Sequence, residues 1–362
     1  GAAGPFRETG LAFWRPGGAL LPVAVEAFPS APAKPSRLWP AAPEDAPAGG
    51  AFLAHCGGSL WRVELPPPGA SGESPSGGAA IVAAASLLFT PPPGAGGLSC
   101  CVGDGGAPLC AFFVPPPDVE QTGPRITLPG QSLSQLPAAK LCAFSAQRGL
   151  RAVVDVPRLS EQPLLSCAGG RAVCVWRAML NEVPEEAERG EFLACELSAP
   201  EPRAVCLTRG AGRVGGAAVA GGGELIVIQA NFSADRPVTT HMALELLAWP
   251  AGEAAPRSPG RRLLTGEHVL AFGFVPPSTS SSVGQPRRLF ATSLAGVDPE
   301  TVLWELDRAA SDLQGDGGPA ASPKLPSAVL SRSAVAVGRP TAWPAEEGSA
   351  QGELLVFGTE ET

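Results

Sequence analysis

Leu164-Leu165-Ser166-Cys167-Ala168-Gly169-Gly170-Arg171-Ala172-Val173-Cys174-Val175-Trp176 reads as two short apolar strands joined by a glycine turn. Gly169 and Gly170 supply the positive φ angles that a tight hairpin demands, and the flanking runs of Leu, Val and Cys carry no helical spacing. A third strand follows at 192–197, a turn at 198–202 and a fourth strand at 203–208. The order then restarts: 214–220, Gly221-Gly222-Gly223 and 224–230, with 243–249 and 261–265 following after loops.

Working outward, the segments 98–102, 109–114, 140–146 and 150–156 repeat the pattern upstream. Before them stand 11–14 and 20–25, with 60–65 and 79–89 as third and fourth strands. Downstream come 269–275, 288–294 and 301–306, and a sixth unit begins near Ala328 and includes 353–358. The third strands end at Leu65, Ala146, Leu197, Trp249 and Leu294, at intervals of 81, 51, 52 and 45 residues. Four strands recurring every 40 to 50 residues or so is the pattern of β-propeller blades. The expectation is an all-β chain in which 1–362 form one β-propeller domain, incomplete at one or both ends. It would hold about five complete four-stranded antiparallel blades and part of another. The Pro/Gly/Ser-rich stretches 66–78 and 115–137 are then surface insertions. A β-sandwich or a pair of them is the rival architecture, but it leaves the recurrence unexplained.

Composition agrees with a β-rich reading. Of 362 residues, 44% are apolar and 17% charged, so a sizeable core is available. The load of 45 Gly and 41 Pro accompanies an absence of Tyr and only three Lys, at 34, 140 and 324. Ala, Gly, Pro and Arg in excess is the bias of a GC-rich coding sequence, tolerated in loops. Net charge is −8 and the basic residues are scattered, which excludes the footprint of a nucleic-acid binder. The longest apolar run, 79–89, is too short to cross a bilayer as a helix, and no membrane partner is expected. The chain begins at Gly1 without Met and reads as a portion of a longer polypeptide. Helical spacing is confined to 181–191, where Pro184 interrupts it.

Nine cysteines, most of them in apolar strand-like runs (Cys110, Cys142, Cys174, Cys195, Cys206), suggest free thiols packed in a reducing, cytoplasmic setting. No C-x-x-C pair exists, and vicinal Cys100 and Cys101 lack zinc-ligand partners at the right spacing, so neither a metal nor another cofactor is expected.

Catalytic constellations fail on their chemistry. His55-Cys56-Gly57-Gly58-Ser59-Leu60 and Gly103-Asp104-Gly105-Gly106-Ala107-Pro108-Leu109 mimic serine-protease segments, but the second lacks a nucleophilic Ser and the order is wrong. No G-x-S-x-G elbow occurs. His241 and His268 sit at loop edges, the glycine-rich runs 210–216 and 221–223 lead into strands without a Walker Lys, and the carboxylates Glu182, Glu185, Glu186, Glu188 and Glu191 form a solvated acidic run. No catalytic, cofactor-binding or metal residue is assigned.

Several segments carry a family resemblance. Gly10-Leu11-Ala12-Phe13-Trp14-Arg15-Pro16-Gly17-Gly18, Ser59-Leu60-Trp61-Arg62-Val63-Glu64-Leu65, and Lys140-Leu141-Cys142-Ala143-Phe144-Ser145-Ala146 running on to Arg151-Ala152-Val153-Val154-Asp155-Val156 resemble strands of the propeller of the acylaminoacyl-peptidases, in the prolyl oligopeptidase family of serine peptidases. The resemblance extends diffusely over 10–310. It implies a seven-bladed, non-catalytic propeller that gates short N-acylated peptides toward a C-terminal α/β-hydrolase domain of the same polypeptide, a domain not recognisable in this chain. A homo-oligomer is compatible with it. The alternatives are a free-standing kelch- or WD40-like interaction scaffold and, third, a propeller enzyme with a channel site. The candidate inner strands 164–167 and 214–220 carry no convergent His or carboxylate for the latter.

Overall fold

The computed structural model describes residues 12–14, 20–25, 37–40, 50–66, 81–103, 107–115, 139–157, 159–179, 189–208, 212–230, 242–257, 260–265, 268–275, 287–295, 298–306, 328–331, 337–343 and 354–358. They contain five sheets. The first holds β1 (Ala12–Trp14), β2 (Leu20–Val25), β3 (Arg37–Pro40), β4 (Ala51–Cys56), β5 (Ser59–Glu64) and β6 (Ile81–Phe89), in the order β1-β2-β6-β5-β4-β3. Its strands β3 to β6 form an antiparallel meander, whereas β2 joins β6 in parallel with Val23 opposite Ile81.

The second sheet is a four-stranded meander of β7 (Gly96–Val102), β8 (Pro108–Val114), β9 (Ala139–Ser145) and β10 (Gly149–Val156). The third has eight strands: β11 (Ser160–Ala168), β12 (Arg171–Met179), β13 (Arg189–Glu196), β14 (Val205–Cys206), β15 (Gly212–Ala220), β16 (Leu225–Ala230), β17 (Ala243–Ala248) and β18 (Arg261–Thr265). Its halves join through β13 and β15, with Arg189 opposite Arg213 and Gly190 opposite Gly212. A four-stranded sheet of β19 (His268–Val275), β20 (Arg287–Ala295), β21 (Asp298–Leu306) and β22 (Ala328–Ser331) follows, then a pair, β23 (Val337–Trp343) with β24 (Leu354–Gly358).

This arrangement corrects the expected ring of uniform four-stranded blades. The described sheets have six, four, eight, four and two strands, one pairing is parallel, and none closes on itself. The first expected unit is also mistaken in its members: β5 and β6 are preceded in their meander by β3 and β4, and β1 and β2 enter from the other side of β6. The physical reason is the division between local and long-range pairing. A hairpin is decided by its turn, so Cys56 opposite Ser59 follows from Gly57 and Gly58. Which strand borders the end of a meander is decided by contacts distant in sequence, and a recurring strand order does not encode those.

The first four sheets pack face to face in chain order. Trp39, Leu53 and Leu60 of the first meet Cys100, Cys110 and Phe112 of the second, and the opposite face of the second, through Phe113 and Leu141, meets Trp176, Cys174 and Cys195 of the third. Phe113 and Trp176 pack edge to face with ring centroids 6.1 Å apart. Within the third sheet, Val173, Val175 and Phe192 of the first half pack on Ile226, Ile228 and Leu247 of the second. Leu225, Val227, Leu244 and Leu246 then meet Leu289, Ala291 and Trp304 of the fourth. Central strands are therefore covered on both faces. That explains why β12 is a nearly continuous apolar run, since strict alternation is needed only when one face is wet.

Candidate anion-binding cleft

The turn ends of three hairpins converge at the junction of the second and third sheets. The β7–β8 end contributes Gly103 and Ala107, the β9–β10 turn Ser145, Gln147 and Arg148, and the β11–β12 turn Gly170 and Arg171. With Leu197 and Ser198 after β13, they border a cleft of about 200 Å³. Gly169 and Gly170, at φ 57° and 73°, allow the β11–β12 strands to reverse in two residues and deliver Arg171 to the first position of β12. In the β9–β10 turn, the Arg148 amide donates to Ser145 Oγ at 3.2 Å. A disulfide between Cys101 on β7 and Cys167 on β11 ties the two sheets beside the cleft, and Cys167 itself lines it.

Arginine dominates the charge. Arg148, Arg151 and Arg171 line the cleft, and no carboxylate is among its described lining residues. Arg148 is exposed. Arg151 is half-buried and donates from Nη2 to the Leu197 carbonyl at 2.6 Å. Arg171 is 7% exposed: Nε donates to Glu196 Oε2 at 3.0 Å, Nη1 donates to the Trp249 carbonyl at 2.5 Å, and the guanidinium carbon lies 5.1 Å from the Trp249 ring centroid. Glu196 in turn accepts from Ser198 Oγ at 3.2 Å, which fixes the carboxylate that fixes the arginine. Arg171 Nη2 is buried and has no hydrogen-bond partner in the protein. A buried donor on a charged group with nothing to receive its protons is costly unless something else accepts them.

The thiols near this junction are not nucleophiles. Burial raises the pKa of Cys174, with its neighbour Cys195 adding to the effect, and burial together with Glu196 pushes Cys195 up to about 12. Burial also raises Cys142 and Cys56. At neutral pH these four side chains are protonated and act as small apolar groups. Among the described residues no three His, Cys, Asp or Glu side chains gather to hold a metal ion.

The motifs singled out in the sequence fall elsewhere. His55 lies on β4, opposite Leu60, and His268 opens β19. His241, Asp104 and the acidic residues 182–188 lie outside the described residues, while Glu191 is on β13 opposite Ala178. Gly221–Gly223 forms a 3-10 turn against β11 and β12, with the Gly222 amide donating to Ser166 Oγ at 3.2 Å, so it serves packing between strands. Cys100 donates to Cys110 Sγ at 3.3 Å. Its neighbour Cys101 corrects the expectation of free thiols, because it is bonded to Cys167. The arginine set was missed. Its one signal in the sequence is positional: Arg148 and Arg171 each sit in or directly after a hairpin turn.

No family model matches the chain, and no curated protein matches it. Among solved structures it is similar to a polysaccharide lyase described as a new family, PL25 ulvan lyase, with 10% identity and a TM-score of 0.41 over 77% of this chain and 67% of that one. The same lyase bound to a glucuronate–sulfated rhamnose oligosaccharide matches with a TM-score of 0.39 at the same identity and shares. A likeness this loose carries no argument about activity. The expected membership of the acylaminoacyl-peptidases is overturned on other grounds: no family model and no curated protein matches, and the described sheets, of six, four, eight, four and two strands, are not a ring of four-stranded propeller blades. The gating role, the hydrolase and proteolysis assignments and the kelch- or WD40-like alternative fall with it. Of the segments that suggested the family, 59–65, 140–146 and 151–156 lie in half-buried or buried β-strands of a kind that unrelated β-proteins share.

Proposed function

We propose that the protein is a binding module for a small ligand bearing an oxyanion, received in the cleft by Arg148 and Arg151 beside Arg171. The observation that carries this reading is three arginines lining one cleft, with no carboxylate among its described lining residues. In a chain of net charge −8 such a cluster is a local reversal of sign. The surrounding field repels extended polyanions, while the cleft favours a compact anion that reaches the arginines. Guanidinium groups present forked donors that match carboxylate, sulfate and phosphate, and such charge-assisted bonds are the stronger class.

Arg171 is held in place at the back of the cleft by Glu196 and the Trp249 carbonyl. Arg148 is exposed and supplies the accessible charge. The test is calorimetric titration of the folded protein with acetate, sulfate and phosphate. Saturable binding with a dissociation constant of about 1 mM is expected for the simple ions, weakening as salt rises. The double substitution R148Q/R151Q should lower affinity at least tenfold while leaving the circular dichroism spectrum unchanged. Absence of saturable binding for all three anions, or undiminished binding to the double variant, overturns the reading.

A further inference from the structure

The cleft is larger than an oxyanion, and its remaining wall has a definite chemistry. Its volume of about 200 Å³ is several times the roughly 30 Å³ that one water occupies in the liquid, so a lone carboxylate or sulfate leaves most of it unfilled. Beside the arginines the half-buried apolar residues of the wall are Ala107, Leu109, Phe144 and Ala168. The two serine hydroxyls at the rim are already engaged. Ser198 Oγ accepts from the Ala172 amide at 3.2 Å while donating to Glu196, and Ser145 Oγ accepts from the Arg148 amide. A hydroxyl-rich body would lose its water and find, among the neutral side chains described at the rim, chiefly Gln147 to replace it, whereas an apolar one would gain by leaving water.

Resting on the oxyanion reading above, we infer that the ligand is an organic carboxylate with a short apolar body. The guanidinium groups take the carboxylate, and the wall of Leu109 and Phe144 takes a body of a few carbons.

The experiment is a calorimetric series on the wild-type protein with acetate, butyrate, hexanoate, glucuronate and sulfate. Affinity should rise about two- to fourfold per added methylene, the range from half to full burial of each group. Glucuronate should bind no more tightly than acetate. The substitution L109S should flatten the chain-length dependence. If acetate and sulfate bind but hexanoate gains nothing, this inference fails and the oxyanion reading survives. If glucuronate outbinds hexanoate, the body is polar and the inference is overturned. If no anion in the series binds, the oxyanion reading itself falls and takes the inference with it.

Discussion

Breaking the Cys101–Cys167 bond tests how the second and third sheets are held together. The two cysteines are 66 residues apart in sequence, and they join β7 of one sheet to β11 of the next. In the chain-entropy account, closing a loop of that length restricts the unfolded ensemble by an amount worth about 4 kcal/mol at 25 °C. Both cysteines are half-buried, so replacing them with alanine removes little packing, and most of the effect acts through the unfolded chain. With a urea slope of about 3 kcal/mol/M, the C101A/C167A midpoint should fall by about 1 M. The assay is urea unfolding followed by the fluorescence of the seven tryptophans. Wild-type protein in excess dithiol should converge on the double variant, and reductant should leave the variant itself unmoved. A thiol titration supplies the covalent control: of nine cysteines, seven are free in the structure, so the denatured unreduced chain should titrate seven thiols and the reduced chain nine. Nine thiols before reduction, or coincident midpoints, would refute the reasoning.

Other substitutions separate structural from binding roles. Arg171→Met deletes the bonds to Glu196 and to the Trp249 carbonyl and should cost about 2–4 kcal/mol, whereas Arg148→Ala, at an exposed turn, should stay within about 0.5 kcal/mol; thermal melts read both. Gly222→Ala should destabilise by about 3 kcal/mol, because φ is +63° and a Cβ there would lie 2.8 Å from the Ala168 carbonyl oxygen. Gly252→Ala, at φ +84° with open space around it, should cost only about 1 kcal/mol in the same thermal melts. Alkaline pH should destabilise the fold through the thiols. Cys195 has a folded pKa of about 12 against an ordinary value of 9.0, and Cys174 is likewise raised. The folded state therefore holds protons that the unfolded state releases above pH 9, and stability falls from there toward pH 12. Each thiol contributes about 1.4 kcal/mol per pH unit, and C174A/C195A should flatten the unfolding free energy measured from pH 8 to 11.

The hairpins were legible in the sequence because their causes are local. Gly169-Gly170 marks the β11–β12 reversal, and the expected strand 20–25 coincides with β2. Strands β3 and β4 were not read. Arg37-Leu38-Trp39-Pro40 is short and ends in proline, and His55-Cys56 drew attention as a protease-like motif although it lies at the end of β4. The expected fourth strand at 203–208 shrinks to Val205–Cys206, because β13 turns instead to β15 through Arg189 and Gly190. Sheet membership was out of reach for the same reason as the cleft: both are made by residues far apart along the chain. Arg151 and Leu197, or Arg171 and Trp249, meet only once whole sheets are stacked, and nothing in the spacing of either pair announces it. Cysteine composition misled in a similar way, since Cys101 and Cys167 look like their buried neighbours until the sheets bring them together.

The parallel entry of β2 beside β6 has a kinetic consequence. Hairpins such as β4–β5 close within microseconds, since only a two-residue turn separates their strands. The Val23–Ile81 pairing joins strands far apart in sequence, so its closure is slower than the local hairpin steps of the meander β3–β6. Until then the nascent sheet shows an open edge at β6, a strand of Ile, Val, Ala, Leu and Phe broken only by Ser86, whose Val82 and Leu87 remain 55% exposed even in the finished fold. That interval is the window in which two chains in a concentrated refolding mixture can pair through β6, and arrival of β2 closes it.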